Sequence, residues 1–466
     1  MTFSSEGTAN WRAPRKVEAR SATRKPTITV DEAREAIARR VREHLEDGEP
    51  GLLIITGIPG VGKTFTVRKV AEEVARQKNT HIDWFGTRHD QFENFDGLDG
   101  WVHIHGRQSA GMCHRPSLAR YIGGKGYSVA KEVCKHCRGI GSCQWGRQWK
   151  VDAHRFMPSE HLPADTLWAR PGSLVVMDEF DITRLIPDPV TFDKNEIRKC
   201  KENWPQARRL FPSLYYAMLG QSPDTWLSDE AFYSLLTDSM PVPLDIGELE
   251  ERSLEPGELT GDLEDVPNQR AAEALTMLCE ERNRYLQGEQ FVSRFAVHDE
   301  KLFYYPGVEL PEELRKHTAI LLNATADVDV LVTTLQSHWP DYPVTVYEPR
   351  VALHRDSTVQ YVIDANHTQT SLRQNGPDYL RRWLRRVTDA VDGAQQALLI
   401  AGRKGERQLR EELQDLTTPQ VVLDHYGAVS GRNEYEECDT VVLAQSFQPP
   451  ASAVAGLYRS LHGGEP

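Results

Sequence analysis

The feature that most constrains this 466-residue chain is a nesting: four cysteines lie between the two halves of what reads as one phosphate site. The first half is Gly57-Ile58-Pro59-Gly60-Val61-Gly62-Lys63-Thr64 and the second is Val175-Val176-Met177-Asp178-Glu179. Cys113, Cys134, Cys137 and Cys143 fall between them. Each set alone indicates a generic class; together they indicate a nucleotide-driven unit with a cysteine cluster built into it.

Leu52-Leu53-Ile54-Ile55 is a short apolar run ending in a turn, as a buried parallel strand does. Gly57 to Thr64 fills every fixed position of GxxxxGK[ST]. A helix follows at once, with Phe65, Val67 and Val70 expected on its inner face. Glycines let backbone N–H groups wrap phosphates, and a helix N-terminus adds partial positive charge. Gly57, Gly60 and Gly62 are thus expected to line the ATP phosphates, Lys63 to reach the β- and γ-phosphates, and Thr64 to bind Mg²⁺. Leu174 to Met177 is a second buried strand with Asp178 and Glu179 at its C-terminal end, where open α/β sheets place ligands. Asp178 is expected to hold Mg²⁺ and Glu179 to polarise the attacking water.

The cysteine spacing is C-x20-C-x2-C-x5-C. Cys134-Lys135-His136-Cys137 is a knuckle that lets two thiolates point at one centre, and four thiolates suit either tetrahedral Zn²⁺ or a four-iron cluster. Spacing does not separate the two. The chain carries no apolar secretory core, which favours metal over disulfides. Cys200, Cys279 and Cys438 are isolated and read as packed apolar residues. His114 and His136 are not needed as ligands.

No run of about 18 apolar residues appears, so no membrane helix is expected and the location reads as cytoplasmic. The net charge of −13 argues against a binder that is basic throughout, but the charge is segregated. Arg107 to Arg155 carries ten Lys/Arg against two acids, whereas Asp245 to Asp265 carries nine acids against Arg252 and reads as a solvated linker.

With these motifs in this order, the chain resembles the XPD/DinG-like iron–sulfur DNA helicases of superfamily 2, in particular divergent plasmid- and phage-type relatives. In that family a cysteine domain sits between the same two nucleotide motifs. The resemblance implies Cys113, Cys134, Cys137 and Cys143 as ligands of a 4Fe-4S cluster, with Zn²⁺ as the alternative. Ser159-Glu160-His161-Leu162 stands where the family has an Asn-His-x-Leu-like stretch. Downstream, Asn323-Ala324-Thr325 matches the Ser-Ala-Thr motif, and Gly431-Arg432-Asn433 stands in the motif V region before Thr440-Val441-Val442-Leu443. The family's Asp-Glu-Ala-His box reads Asp-Glu-Phe-Asp here (Asp178–Asp181). No QxxGRxxR motif VI is found before Pro466, and neither Arg432 nor Arg459 has the setting of an arginine finger. Poor hydrolysis by the chain as given is therefore expected.

The expected fold is α/β: two RecA-like P-loop domains with an inserted cysteine-cluster domain and a mostly helical, arch-like insertion. Residues 1–27 read as a disordered basic arm. Residues 28–106 with 161–185 are assigned to the first motor domain, 107–160 to the cysteine domain, 186–314 to the helical insertion, and 315–466 to the second motor domain. Ala33, Ile37, Val41 and Leu45 mark an amphipathic helix before the first strand, and Thr87-Arg88-His89 a contact with the DNA backbone. Tyr127, Trp145 and Trp149 are candidate base-stacking or knuckle-packing residues. The function this implies is an ATP-dependent helicase or translocase on single-stranded or forked DNA, moving 5′ to 3′. The alternatives are a non-motor, nucleotide-dependent DNA-binding protein with structural zinc, serving replication or a mobile element, and an AAA+ ATPase. Protein partners are not legible.

Overall fold

A computed structural model describes residues 28–462 except 58–59, 88–90, 93–94, 96, 162–169, 181, 220–226, 239, 248, 250–252, 256, 260–262, 324–327, 350, 352–375, 392–393, 403–408, 411–419, 426–434, 436–437 and 445–450. The expected basic arm, Arg88, His89, Asp181, Ala324, Thr325, Gly431, Arg432 and Asn433 lie outside the described residues. The chain divides into two compact units, one of Thr27–Ala352 with Ala451–Pro466 and one containing Leu353–Pro450.

The first unit is built on a seven-stranded sheet. Its strands are β1 (Gly51–Ile55), β2 (Ile82–Gly86), β3 (Trp101–His103), β4 (His154–Pro158), β5 (Leu174–Asp178), β9 (Thr318–Leu322) and β10 (Val344–Tyr347). The order is β10-β1-β9-β5-β2-β4-β3, and every pairing is parallel. This mixed α/β fold with a large parallel sheet is consistent with a RecA-like unit.

The apolar runs alternate between two cores, as strand side chains must. Leu53 and Ile55 face one core with Ala33, Ile37, Val41 and Leu45 of helix α1 (Val30–Asp47) and Val67, Val70 and Val74 of helix α2 (Lys63–Lys78). Leu52 and Ile54 face the other with Val175, Met177, Leu321, Leu331 and Leu335. A capping box between Thr29 and Glu32 starts α1 and Gly48, at φ +74°, ends it. Phe65, expected on the inner face of α2, is instead 53% exposed beneath Lys69.

Two boundaries read from sequence are corrected. Residues 315–347 were placed in a second motor domain, but β9 inserts between β1 and β5, and β10 pairs with β1 in the first sheet. Strand β4, assigned to the cysteine domain, pairs with β2 and β3. The cysteine-bearing stretch therefore leaves after β3 and returns as β3's own neighbour. Buried Gln148 pins its two ends: its side chain accepts from His105 N (2.9 Å) and donates to His105 O (2.7 Å).

Residues 190–304 contain four longer helices, α3 (Lys194–Asn203), α4 (Phe211–Leu219), α5 (Asp229–Asp238) and α6 (Ala271–Leu286). The stretch is not simply helical. An antiparallel sheet of β6 (Val190–Phe192), β8 (Lys301–Tyr304) and β7 (Phe295–His298) closes its core. Helix α8 (Ala451–His462) docks here rather than in the second unit. Its buried Arg459 pairs with Asp229 (2.9 Å) and donates to Ser293 O (3.3 Å), and Gly456 lies against Tyr305.

In the second unit, β12 (Gln420–His425), β11 (Gln396–Ala401) and β13 (Thr440–Leu443) form a parallel sheet covered by helix α7 (Gly376–Val391). Trp383 and Val387 of α7 enter the core while Arg381, Arg382 and Arg385 are exposed. Among the described residues strand β13 is at an edge of this sheet, with Val441 and Leu443 exposed. No helix among the described residues is long and apolar enough to cross a membrane.

A charge inside the sheet was not legible from the sequence. Asp83 of β2 pairs with Arg155 of β4 at 2.7 Å, both essentially inaccessible, and also accepts from Ser173 and Arg170. Burial opposes the Asp83 charge, but Arg155 and Arg170 hold its carboxyl below the usual range. Truncating one partner leaves the other charge buried and unpaired. Asp83→Ala is therefore expected to lower the unfolding free energy by about 3–5 kcal/mol in urea denaturation, with a smaller loss when Asp83 and Arg155 are both replaced by apolar residues of similar volume.

Candidate nucleotide site and cysteine unit

The parallel register brings the two halves of the motif together. Ile55 and Asp178 both pair with Leu322, so the ends of β1, β9 and β5 lie on one rim. Thr64 then donates its hydroxyl to Asp178 Oδ1 at 3.2 Å across a separation of 114 residues. Lys63 Nζ donates to Gly57 O at 2.7 Å. Gly57, Gly60 and Gly62 all have left-handed φ, as a loop that turns its N–H groups inward requires.

Two supports of the loop were missed in sequence. Arg34 of α1 donates to Val61 O at 2.9 Å, and its guanidinium lies 3.0 Å from where a Cβ on Gly62 would sit. Thr56 N donates to Tyr347 O, so β10 braces the loop's entry. Asn323, ending the run Thr318–Leu322, ties both halves. Its N–H donates to Ile55 O at 3.1 Å and its amide to Phe180 O. The sequence placed Asn323 at the head of the Ser-Ala-Thr-like stretch but did not show that it bonds to both neighbouring strand ends.

Asp178 and Glu179 have different surroundings. Burial, followed by the Glu179 charge, pushes Asp178 up to about 7 against the Thr64 hydrogen bond and the Lys63 charge. Burial lowers Lys63, opposed by Asp178 and Glu179. Glu179 has φ +52° and accepts at Oε2 from Gln91 (2.9 Å) and Thr87 (3.3 Å). The arrangement offers an anion cradle, a cation, two carboxylates and a hydroxyl at the end of a helix.

The cysteines lie in one small unit. Cys113 precedes the helix Pro116–Gly124, Cys134 opens a single turn that ends at Cys137, and Cys143 caps the helix Gln144–Gln148. Met112 O accepts from Trp145 N and from the Cys143 thiol, joining the first and last segments. All four are free and half-buried. Burial raises Cys134; Arg107 opposes this, and Cys113 and Cys143 add to it. The donor set is that of a soft metal centre, but no group of three or more His, Cys, Asp or Glu among the described residues is arranged to hold a metal ion.

His114 contacts Ser142 and Gly139, and His136 is exposed. Tyr127 and Trp145 are buried, and the Arg107 guanidinium lies 3.4 Å over Trp145, so packing claims these two candidate stacking residues. The acidic segment is not a free linker. Leu254, Leu259 and Val266 pack with Ile122, Tyr127 and Val133, and Leu254 N donates to Glu132. Arg459 is consumed by Asp229, which removes it as a finger.

No protein-family model matches the chain, and no curated protein does. A solved structure titled XPD_APO is similar with a TM-score of 0.42 and 11% identity, covering 92% of this chain and 87% of that one.

The Asp178 environment has a pH consequence. Between its ordinary value of 3.8 and about 7, the folded chain holds a proton at Asp178 that the unfolded chain has lost. This group's contribution to stability therefore falls as pH rises across that window and is level above it. In magnesium-free buffer, Asp178→Asn is expected to gain in melting temperature relative to wild type from about pH 5 to about pH 8. A difference that does not change with pH would show that the carboxylate is not desolvated.

Proposed function

We propose that this chain is an ATP-dependent DNA translocase or helicase acting on single-stranded or forked DNA. The observation that carries the proposal is the Thr64–Asp178 hydrogen bond, which joins the two nucleotide motifs on one rim beside Lys63 and Glu179. Gly57, Gly60 and Gly62 would cradle the triphosphate and Lys63 would neutralise it. Thr64 and Asp178 would hold Mg²⁺, which supplies charge neutralisation when bound. Glu179 would take the proton of the attacking water. On this proposal the second parallel-sheet unit is the second RecA-like motor domain, the 5′ to 3′ direction follows the family resemblance, and the basic cysteine unit grips the strand.

The four thiols are proposed to hold a metal centre, a 4Fe-4S cluster with Zn²⁺ as the alternative. Their placement on one unit laced through Met112 supports this. The burial of Arg459 favours a second reading, a nucleotide-dependent DNA-binding protein that turns over slowly, because a finger is worth about 10³–10⁵ in rate.

Lys63→Ala is expected to lose ATP hydrolysis with an unchanged circular dichroism spectrum. Single-stranded DNA binding by wild type should weaken steeply with salt as counterions are released. DNA-stimulated turnover favours the motor, and DNA binding with negligible turnover favours the second reading. Protein purified anaerobically is expected to be brown and to contain iron that Cys134→Ser loses while nucleotide binding persists. Stoichiometric zinc would replace the cluster assignment, and absence of both metals would remove the metal centre.

A further inference from the structure

The two adjacent carboxylates at the end of β5 are drawn to opposite sides. The strand order β1-β9-β5-β2 puts the phosphate loop after β1 on the β9 side of β5. Asp178 faces that side through Thr64. Glu179 faces the other, where Gln91 and Thr87, on the stretch that follows β2, both donate to its Oε2.

The seat is built. Strand β2 ends at Gly86, where a Cβ would meet Gln91 Oε1 at 2.6 Å and the Phe156 ring at 2.5 Å. Only a residue without a side chain lets the Gln91 amide lie against the strand end and reach Glu179. The φ of +52° at Glu179 is one that glutamate rarely adopts and at a cost. Two hydrogen bonds to one carboxylate oxygen offset that cost and occupy Oε2 on the β2 side.

We propose that Thr87 and Gln91 form a latch that holds Glu179 turned away from the phosphate loop, so that hydrolysis requires its release. Both are positioning residues acting through Glu179. This rests on the nucleotide-site reading above and adds its regulation. The latch begins at Thr87, which the family resemblance implies as part of a DNA contact, and on the function proposed above bound polynucleotide is the releasing partner. Engagement of DNA would shift the donors and free the base.

The test is ATP turnover and binding of a fluorescent ATP analogue by full-length wild type, Gln91→Ala, Thr87→Val and the double variant, with and without single-stranded DNA. DNA-free turnover is expected to rise about tenfold in the double variant, a part of the about 10²–10⁴ that a fully positioned base supplies. KM and melting temperature should change little, and the ratio of DNA-stimulated to basal turnover should collapse. Adding Glu179→Gln to the double variant should abolish the gain, showing that it passes through Glu179. Basal turnover that falls or stays unchanged, with analogue binding intact, would overturn the latch alone. Failure of wild type to bind the analogue would overturn the nucleotide site and the latch with it.

Discussion

Strand β9 is the constraint on which the site depends. Its pairing with β1 on one edge and β5 on the other sets Ile55, Leu322 and Asp178 in one row. The residues that follow these three then meet on a single rim, where Asn323 bonds to both neighbours. A one-residue slip of β9 would exchange the two faces of its side chains, sending Ile320 and Leu322 out of the core that holds α1 and α2. Register, burial and site geometry are therefore one requirement, met by a buried five-residue strand that enters the sheet after the whole helical insertion.

A second polar knot supports the sheet's other side. Asp83, Arg155, Arg170 and Ser173 join β2 to β4 and to the approach of β5. The cysteine unit departs and returns at this edge, so whatever pulls on the unit pulls on strands held by charge as well as by apolar contact. Buried ion pairs add little net stability, but they penalise misplacement strongly.

The nucleotide motifs were legible because their chemistry is local: a strand, a glycine turn and a helix start within fifteen or so residues, and each residue type has a stated reason. The strand at Thr318–Leu322 was legible as an element but not as a member of the first sheet, and Val344–Tyr347 was not read as a strand at all. Parallel partners need long crossovers, and an apolar run buried on both faces carries no mark of which sheet it joins. Arg34 and Gln91 were invisible for a related reason: each reads as an ordinary surface residue until the fold brings it to Val61 O or Glu179. The acidic segment misled because nine acids outweigh its apolar anchors in any compositional reading, although Leu254 and Leu259, with Val266 just beyond, pack it against the cysteine unit. The cysteines were legible as a set and in their common unit, while their closure about one centre depends on side-chain geometry that spacing does not encode.

Three side chains at this rim already have partners within the protein: Lys63 with Gly57 O, Thr64 with Asp178, and Glu179 with Gln91 and Thr87. For these side chains the proposed nucleotide binding would be an exchange of hydrogen bonds rather than a gain of them, and each exchange contributes only about 0.5–1.5 kcal/mol net. The surplus must come from charge: the helix N-terminus, the Lys63 ammonium and the proton that Asp178 gives up when a cation arrives. It follows that affinity and catalysis are separable here. On the proposed latch, the cradle between β1 and β9 would bind nucleotide while Glu179 remained held on the β2 side, and turnover would be set by the contacts of Glu179 with Gln91 and Thr87.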